Sequence, residues 1–266
     1  MKSLMITAAL AVASALFALP ARAAEAAASA VATVRDLAIG YAHYCGAVLC
    51  ASVPTGTTFH IASAFGSPLA NSAASNAAEC VLTMASTTGL ANGDYVEVLS
   101  GWGRLNKRAF RIKSVVLNTS ITLEGCDTTN TTFFPAGQGT GSVRKVTTFT
   151  QITMATAVSS SGGDPVNVDY KYLESDVRYS INDGFNATNY QLTLDADAIG
   201  TAGYTALRSL TDVQTDTILR INKRSGAVSL VPCTVALNEA DAMNDGQITT
   251  VTAAFSGNNR MTKYAA

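Results

Sequence analysis

The chain has 266 residues, of which 48% are hydrophobic and only 14% are charged, and its formal net charge is -1. A chain of this length can bury a substantial core, and a near-neutral charge gives no general attraction for nucleic acid or for an anionic membrane surface. It contains two histidines and five cysteines without a CxxC spacing. This composition disfavours a histidine-based catalytic triad, a histidine metal cluster and a zinc site.

The first residues have the features of a secretory signal peptide. Lys2 gives a positive start, an apolar run follows over residues 4–19, and small residues at Ala21 and Ala23 provide a cleavage site. Residues 1–23 are therefore interpreted as a leader. Residues 24–52 form an Ala-rich extension that has too few large side chains for a core, so poor order is expected.

Alternating β-branched and aromatic residues then predict several short strands, separated by Gly, Pro and Asn turns. The predicted strands are Thr58–Ala64, Val81–Met84, Tyr95–Leu99, Phe110–Lys113 and Ile121–Leu123. The polar residues 71–79 are predicted to be a linker. A meander of short strands is typical of a small barrel, so residues 80–127 are predicted to be a barrel inserted into a larger β domain made of residues 53–79 and 128–266.

A long loop follows at residues 127–141 and contains two adjacent aromatic residues, Phe133 and Phe134. Exposed aromatic side chains on a long loop usually pack onto another surface. We expect both rings to dock.

The next segment predicts a long β-hairpin. Ile152, Met154 and Val158 fall on one side of an extended strand, and Ser159–Pro165 carries the turn residues Gly162 and Gly163. Alternation from Val166 to Tyr172 predicts the returning strand. A hairpin of this length exposes two faces and two edges, so it must be covered by the same chain or by a neighbour.

The remainder is predicted to be mainly β with one helix. Strands are predicted at Asn189–Asp195, Thr217–Ile221, Val228–Leu237 and Gln247–Phe255. Thr201 can cap a helix in which Tyr204, Leu207 and Leu210 share one face. This gives a fold class of a β-sandwich with one flanking helix and a long hairpin, plus the inserted barrel.

The sequence contains few residues in a pattern that suits reaction chemistry. Asp195 and Asp197 share a face at the end of a strand, which could serve a calcium ion or a hydrolase, although a structural strand-end pair is favoured. Asn182–Gly184 resembles half of a calcium loop but is interpreted as a turn. No catalytic, cofactor or metal site is predicted, and the chain is not expected to be an enzyme.

From residue 53 onward the chain resembles the major tail tube proteins of bacteriophages with long, non-contractile tails. The segments that carry the resemblance are 53–59, 93–106, 123–135, 170–176, 179–184 and 255–260. The resemblance implies a β-sandwich subunit that forms stacked rings of six copies, through which phage DNA passes without specific binding. It also implies a place in the virion tail after assembly in the host cytoplasm, contacts with tape measure and with tail terminator or tip proteins, and no membrane association. The barrel insert is similar to a domain of ubiquitin-activating enzymes, in shape only.

The resemblance also assigns residues. It implies that hairpins of neighbouring copies join into an inner barrel, which makes inter-subunit contacts of Ile152, Met154, Gly162, Gly163, Tyr170 and Tyr172. Phe133 and Phe134 would dock onto a neighbour. Acidic residues on the lumen would repel DNA phosphates, with Asp164, Asp169 and Glu174 as candidates. An exported leader does not suit such a protein, so a misassigned start or a dispensable extension is expected. The alternative function is a secreted β-rich adhesin or surface-layer module, which the leader and the Thr-rich strands suggest.

Overall fold

A computed structural model of the chain describes residues 54–266. The predicted leader, residues 1–23, and the predicted extension, residues 24–52, lie outside the described residues. Within the described part the protein is mainly β, with fifteen strands, one α-helix and a short 3₁₀ helix. This confirms that the fold is mainly β with one flanking helix.

The strands are numbered in chain order. Their bounds are β1 Thr58–Phe65, β2 Leu69–Ala74, β3 Val81–Met84, β4 Tyr95–Ser100, β5 Arg108–Val116, β6 Ser120–Leu123, β7 Gly141–Ile152, β8 Ala155–Ser161, β9 Pro165–Tyr170, β10 Tyr179–Phe185, β11 Asn189–Asp195, β12 Thr217–Asn222, β13 Val228–Ala242, β14 Thr250–Gly257 and β15 Thr262–Tyr264. The 3₁₀ helix is Ala196–Gly200 and the α-helix, α1, is Ala202–Val213.

Six strands close into a small barrel in the order β2-β3-β6-β5-β4-β7, with β7 pairing back onto β2. Alternate side chains of these strands point inward and form a core around Leu82, Trp102 and Phe110, all fully buried. The prediction that residues 71–79 are only a linker is wrong, because β2 occupies part of that segment. The barrel therefore uses β2 and the first half of β7 in addition to the strands between residues 80 and 127.

A second, antiparallel sheet has the order β7-β1-β12-β13-β14-β11-β8. Strand β7 belongs to both assemblies, since its first half pairs with β4 and its second half pairs with β1. One face of this sheet carries a continuous row of buried apolar residues that includes Ile61, Leu219 and Phe255. This row forms the main core.

Helix α1 covers that apolar face. The Thr201 hydroxyl oxygen accepts a hydrogen bond from the backbone N–H of Tyr204 at 3.3 Å, which caps the helix, and Tyr204 and Leu207 are buried against the sheet. The predicted helix is confirmed. On the opposite face, Ile218 and Leu230 pack against Ala109 of the barrel. The sheet therefore lies between the helix and the barrel.

Candidate assembly surface

The most exposed part of the fold is an arm formed by residues 155–195, which includes β8, β9, β10 and β11. In the arm β8 pairs with β11, placing Val158 opposite Leu192. Strand β9 pairs with β10, placing Val168 opposite Ile181. The predicted pairing of the segments on either side of Ser159–Pro165 is therefore wrong. One side of the arm consists of β8 followed by β9, and the other side consists of β10 followed by β11. Residues 171–178 form the tip.

Gly162 and Gly163 form a bend within one side of the arm instead of its tip. Both residues have left-handed backbone angles, with φ of +81° and +80°, a conformation that L-residues with a Cβ atom adopt at a cost. The ribbon continues across the bend, because the N–H of Gly163 donates to the Asn186 carbonyl oxygen and the N–H of Asn186 donates to the Asp164 carbonyl oxygen, each at 3.0 Å. The bend thus joins two hydrogen-bonded ribbons.

The outer ribbon, β9 with β10, has one apolar and one polar face. Residues directly opposite each other in the ladder project to the same side, so Val168 with Ile181 and Tyr170 with Tyr179 define the apolar face. The Tyr170 and Tyr179 rings stack at 5.4 Å between centroids, and Tyr172 packs edge-on against them. Val168 is 53% and Ile181 57% exposed. The polar face carries Asn167, Asp169, Ser180 and Asn182.

Strand β8 is an open sheet edge. It pairs with β11 on one side, and no strand between residues 54 and 266 pairs with its other side. All seven of its residues are exposed. An unpaired edge presents backbone N–H and C=O groups that another chain can pair with.

Beside this edge, four strands share an uncharged face. Residues aligned across β13, β14, β11 and β8 form two rows on the side of the sheet opposite the main core, and none of them carries a charge. We call this the uncharged face; its residues are Ala236, Ala254, Gln191 and Ser159 in one row and Asn238, Thr252, Thr193 and Ala157 in the other. All eight are exposed or half-buried.

The structure separates the residues predicted for the hairpin. Ile152 ends β7 opposite Phe59 and is buried in the main core, so its assignment to an exposed inter-subunit hairpin is corrected. Met154 lies between β7 and β8 with a φ of +59° and is 44% exposed. Tyr170 and Tyr172 lie on the arm, and their contact with another subunit stays a prediction.

The three candidate lumen carboxylates are all exposed on the arm. Asp164 follows the bend, Asp169 lies on the polar face of the outer ribbon, and Glu174 lies in the tip. The tip also carries Lys171 and Arg178, so it is not uniformly acidic. That these carboxylates face a lumen remains a prediction.

The aromatic loop is fixed to the barrel. The Phe134 ring is buried and packs edge-on against Trp102 at 5.2 Å between centroids. The Trp102 Nε1–H donates to the Pro135 carbonyl oxygen at 2.8 Å. The prediction that Phe134 docks onto a neighbour is therefore corrected, since its ring fills its own core. Phe133 is 44% exposed beneath the Arg104 guanidinium and stays a candidate for docking.

In the pair Asp195 and Asp197, the Asp195 carboxylate has a structural role. The Asp195 Oδ1 accepts a hydrogen bond from the backbone N–H of Asp197 at 3.0 Å and caps the 3₁₀ helix. Asn182–Gly184, predicted to be a turn, lies instead in β10 at a register shift. Among the described residues, no group of three or more His, Cys, Asp or Glu side chains is arranged to hold a metal ion.

Carboxylates neutralise most of the basic residues on the barrel. Arg111 and Glu124 form a two-point ion pair, with Nε and Oε2 2.5 Å apart. The other pairs are Lys113 with Glu79, Lys145 with Asp94, Lys107 with Asp216 and Arg144 with Glu97. Charges paired in this way attract DNA phosphates less than a basic patch does.

Comparison with known proteins identifies the class. A family model for the phage tail tube protein, TTP, matches residues 100–266. The chain belongs to this family, and tail tube proteins are structural components of the virion tail. No curated protein matched the chain in a separate comparison. Within residues 54–266, no helix has the length and apolar character needed to cross a membrane.

Proposed function

We propose that this chain is the major tail tube subunit of a long-tailed phage, and that it assembles into stacked rings of six copies that form the conduit for DNA ejection. The observation that carries the proposal is the arm. Its outer ribbon exposes a continuous apolar face, and its other ribbon, β8 paired with β11, ends in the open edge of β8. The tail tube family assignment supports self-association as the way in which these surfaces are covered.

The open edge gives the contact within a ring. Strand β8 of one copy would pair along its free backbone groups with a strand of the next copy, so that β13, β14, β11 and β8 extend into a closed inner barrel. Closing a sheet on itself removes the exposed edge. Closure by a rotation axis also limits the ring to a fixed number of copies.

The apolar face gives the contact between rings. Burying one Val or Ile side chain contributes about 1.5–3 kcal/mol, and the outer ribbon offers Val168, Ile181 and the Tyr170–Tyr179 stack together. The arm extends beyond the main sheet at the Gly162–Gly163 bend. We propose that the outer ribbon packs on a subunit of the adjacent ring.

The lumen would be lined by the uncharged face, extended by Asp164, Asp169 and Glu174 on the arm. A wall of Ala, Thr, Ser, Gln and Asn offers no cation to a DNA phosphate, and added carboxylates repel it. Such a wall lets DNA pass without specific binding. We further propose contacts with a tape measure protein inside the tube and with terminator or tip proteins at its ends.

Negative-stain electron microscopy of the purified full-length chain tests this function. We expect annular particles with sixfold symmetry in end views and, as the protein concentration rises, hollow tubes with a regular axial repeat. Solid fibrils without a channel, or a chain that stays monomeric at high concentration, would exclude a tube subunit.

A further inference from the structure

Two cysteines lie side by side where the chain enters and leaves the strands β3 to β6 of the barrel. Cys80 precedes β3 and Cys126 follows β6. The backbone N–H of Cys80 donates to the carbonyl oxygen of Cys126 at 2.8 Å. Both side chains are buried in the same barrel core, and both are free thiols.

The backbone geometry suits a covalent link. A single backbone hydrogen bond of this length keeps the two Cα atoms within the range of about 4.4–6.8 Å that a disulfide spans. The two thiols are neighbours in one buried cluster. A hydrogen bond from the Cys126 thiol lowers the pKa of Cys80, and the same hydrogen bond, with burial, raises the pKa of Cys126.

A hydroxyl and a cation lie near the two buried sulfurs. The fully buried Thr128 hydroxyl, which donates to the Ser75 carbonyl oxygen at 2.7 Å, lowers the pKa of the Cys80 thiol. The charge of the Arg108 guanidinium acts on Cys126. Arg108 makes no ion pair with a carboxylate in the described part of the chain, in contrast to Arg111 and Arg144, and its buried Nε has no hydrogen-bond partner there. A nearby unpaired cation stabilises a thiolate.

We propose that Cys80 and Cys126 form an oxidation site that closes into an intrasubunit disulfide, with a hydroperoxide as the oxidant. The Cys80 thiolate attacks one peroxide oxygen and breaks the O–O bond, which gives a sulfenic acid and releases hydroxide that becomes water. The Cys126 sulfur then attacks the sulfenic sulfur, the S–S bond forms, and a second water leaves. Two thiols are oxidised by two electrons, and one peroxide is reduced to two waters.

This site adds a property that does not depend on ring assembly. The disulfide would tie the entry of the barrel to its exit and so restrict the unfolded chain between them. A virion is assembled in a reducing cytoplasm and then meets oxidising surroundings outside the cell. The barrel would therefore fold with thiols and be locked after release.

Peptide mapping of the full-length protein tests the link directly. The folded protein is treated with hydrogen peroxide, unfolded in the presence of N-ethylmaleimide to block remaining thiols, and cleaved without reduction by a glutamate-specific protease. Cleavage after Glu79, Glu97, Glu124 and Glu174 places the two cysteines on separate peptides, 80–97 and 125–174. We expect these peptides to be joined, two hydrogens lighter than their sum, and separated by dithiothreitol.

Thermal melting supplies an independent readout. Oxidation should raise the melting temperature by about 5–10 °C, and dithiothreitol should reverse the rise. The rise should be absent in Cys80→Ser and Cys126→Ser and retained in Cys233→Ala, whose thiol lies in the main core. The proposal would be overturned if both thiols of the oxidised wild-type chain were blocked by N-ethylmaleimide, became sulfinic or sulfonic acids, or linked to other cysteines.

Discussion

The bend at Gly162 lies against the carbonyl oxygen of Ala187 on the opposite side of the arm, so closely that a Cβ atom at Gly162 would overlap that oxygen. Gly162 also has a left-handed φ. Gly162 thus meets two requirements, a left-handed backbone and the absence of a Cβ atom beside Ala187. The bend joins the ribbon that continues the main sheet to the ribbon that carries the apolar face.

Gly162→Ala is expected to disrupt this bend. The left-handed backbone alone costs an L-residue roughly 1–2 kcal/mol, and the overlap with Ala187 adds to that cost. Amide hydrogen exchange by NMR should show faster exchange at Gly163 and Asn186, whose N–H groups bridge the bend. Gly184→Ala is the matched control, since a Cβ atom there meets nothing within 4 Å. Equal protection in the two variants would contradict this account of the bend.

Ile181→Asn is expected to weaken assembly without weakening the subunit. Ile181 is 57% exposed, so the free energy of unfolding of the free subunit should change by about 0.5 kcal/mol or less. If the side chain is buried between rings, the critical concentration for tube formation should rise about tenfold or more. Sedimentation gives this concentration. Ser180→Asn introduces the same residue on the polar face and should leave the critical concentration unchanged. If both variants raise the critical concentration equally, the assignment of the apolar face to an interface is wrong.

A lysine in the lumen is expected to slow DNA release. Gln191→Lys on the uncharged face and Asp169→Lys on the arm would each place a cation beside passing phosphates. Release from particles assembled with each variant can be followed with a fluorescent DNA-binding dye, while electron microscopy checks that tubes still form. Thr205→Lys, on an exposed position of α1, is the control. Normal release from the Gln191→Lys particles would contradict the proposal that the uncharged face lines the lumen.

Phe133→Ala and Phe134→Ala are expected to differ strongly in the isolated subunit. Phe134 fills the barrel core against Trp102, so its truncation should lower the free energy of unfolding by about 3–5 kcal/mol. Phe133 is half-exposed, and its loss removes mainly the Arg104 contact, worth about 0.5–1 kcal/mol. Urea unfolding measures both. Similar losses would show that the loop is not fixed through Phe134.

The parts of the fold with strong local signals could be predicted from the sequence. Strand β11 coincides with the predicted Asn189–Asp195, because apolar Leu192 and Leu194 alternate with polar residues. Helix α1 was marked by its Thr201 cap and its apolar face. Strand β2 has no such signal, since Leu69–Ala74 contains mostly small residues. Its conformation comes from pairing with β3 and β7.

The arm shows why the candidate assembly surface could not be predicted in full. Ser159–Pro165 carries a strong local turn signal, but the pairing of β8 with β11 joins residues about thirty positions apart and overrides it. The Asn-Asp-Gly sequence at 182–184 likewise suggests a turn, which obscured the alternation of Tyr179 and Ile181 in β10. The apolar face appears only when both strands are aligned.

Hydrogen exchange of the assembled protein, compared with that of the free subunit by mass spectrometry, tests the central proposal most directly. If β8 pairs with a neighbouring copy and the outer ribbon packs on the next ring, peptides covering residues 155–185 should gain strong protection on assembly, while peptides from the buried barrel strands should change little. Assembled particles in which residues 155–185 exchange as fast as in the free subunit would contradict it.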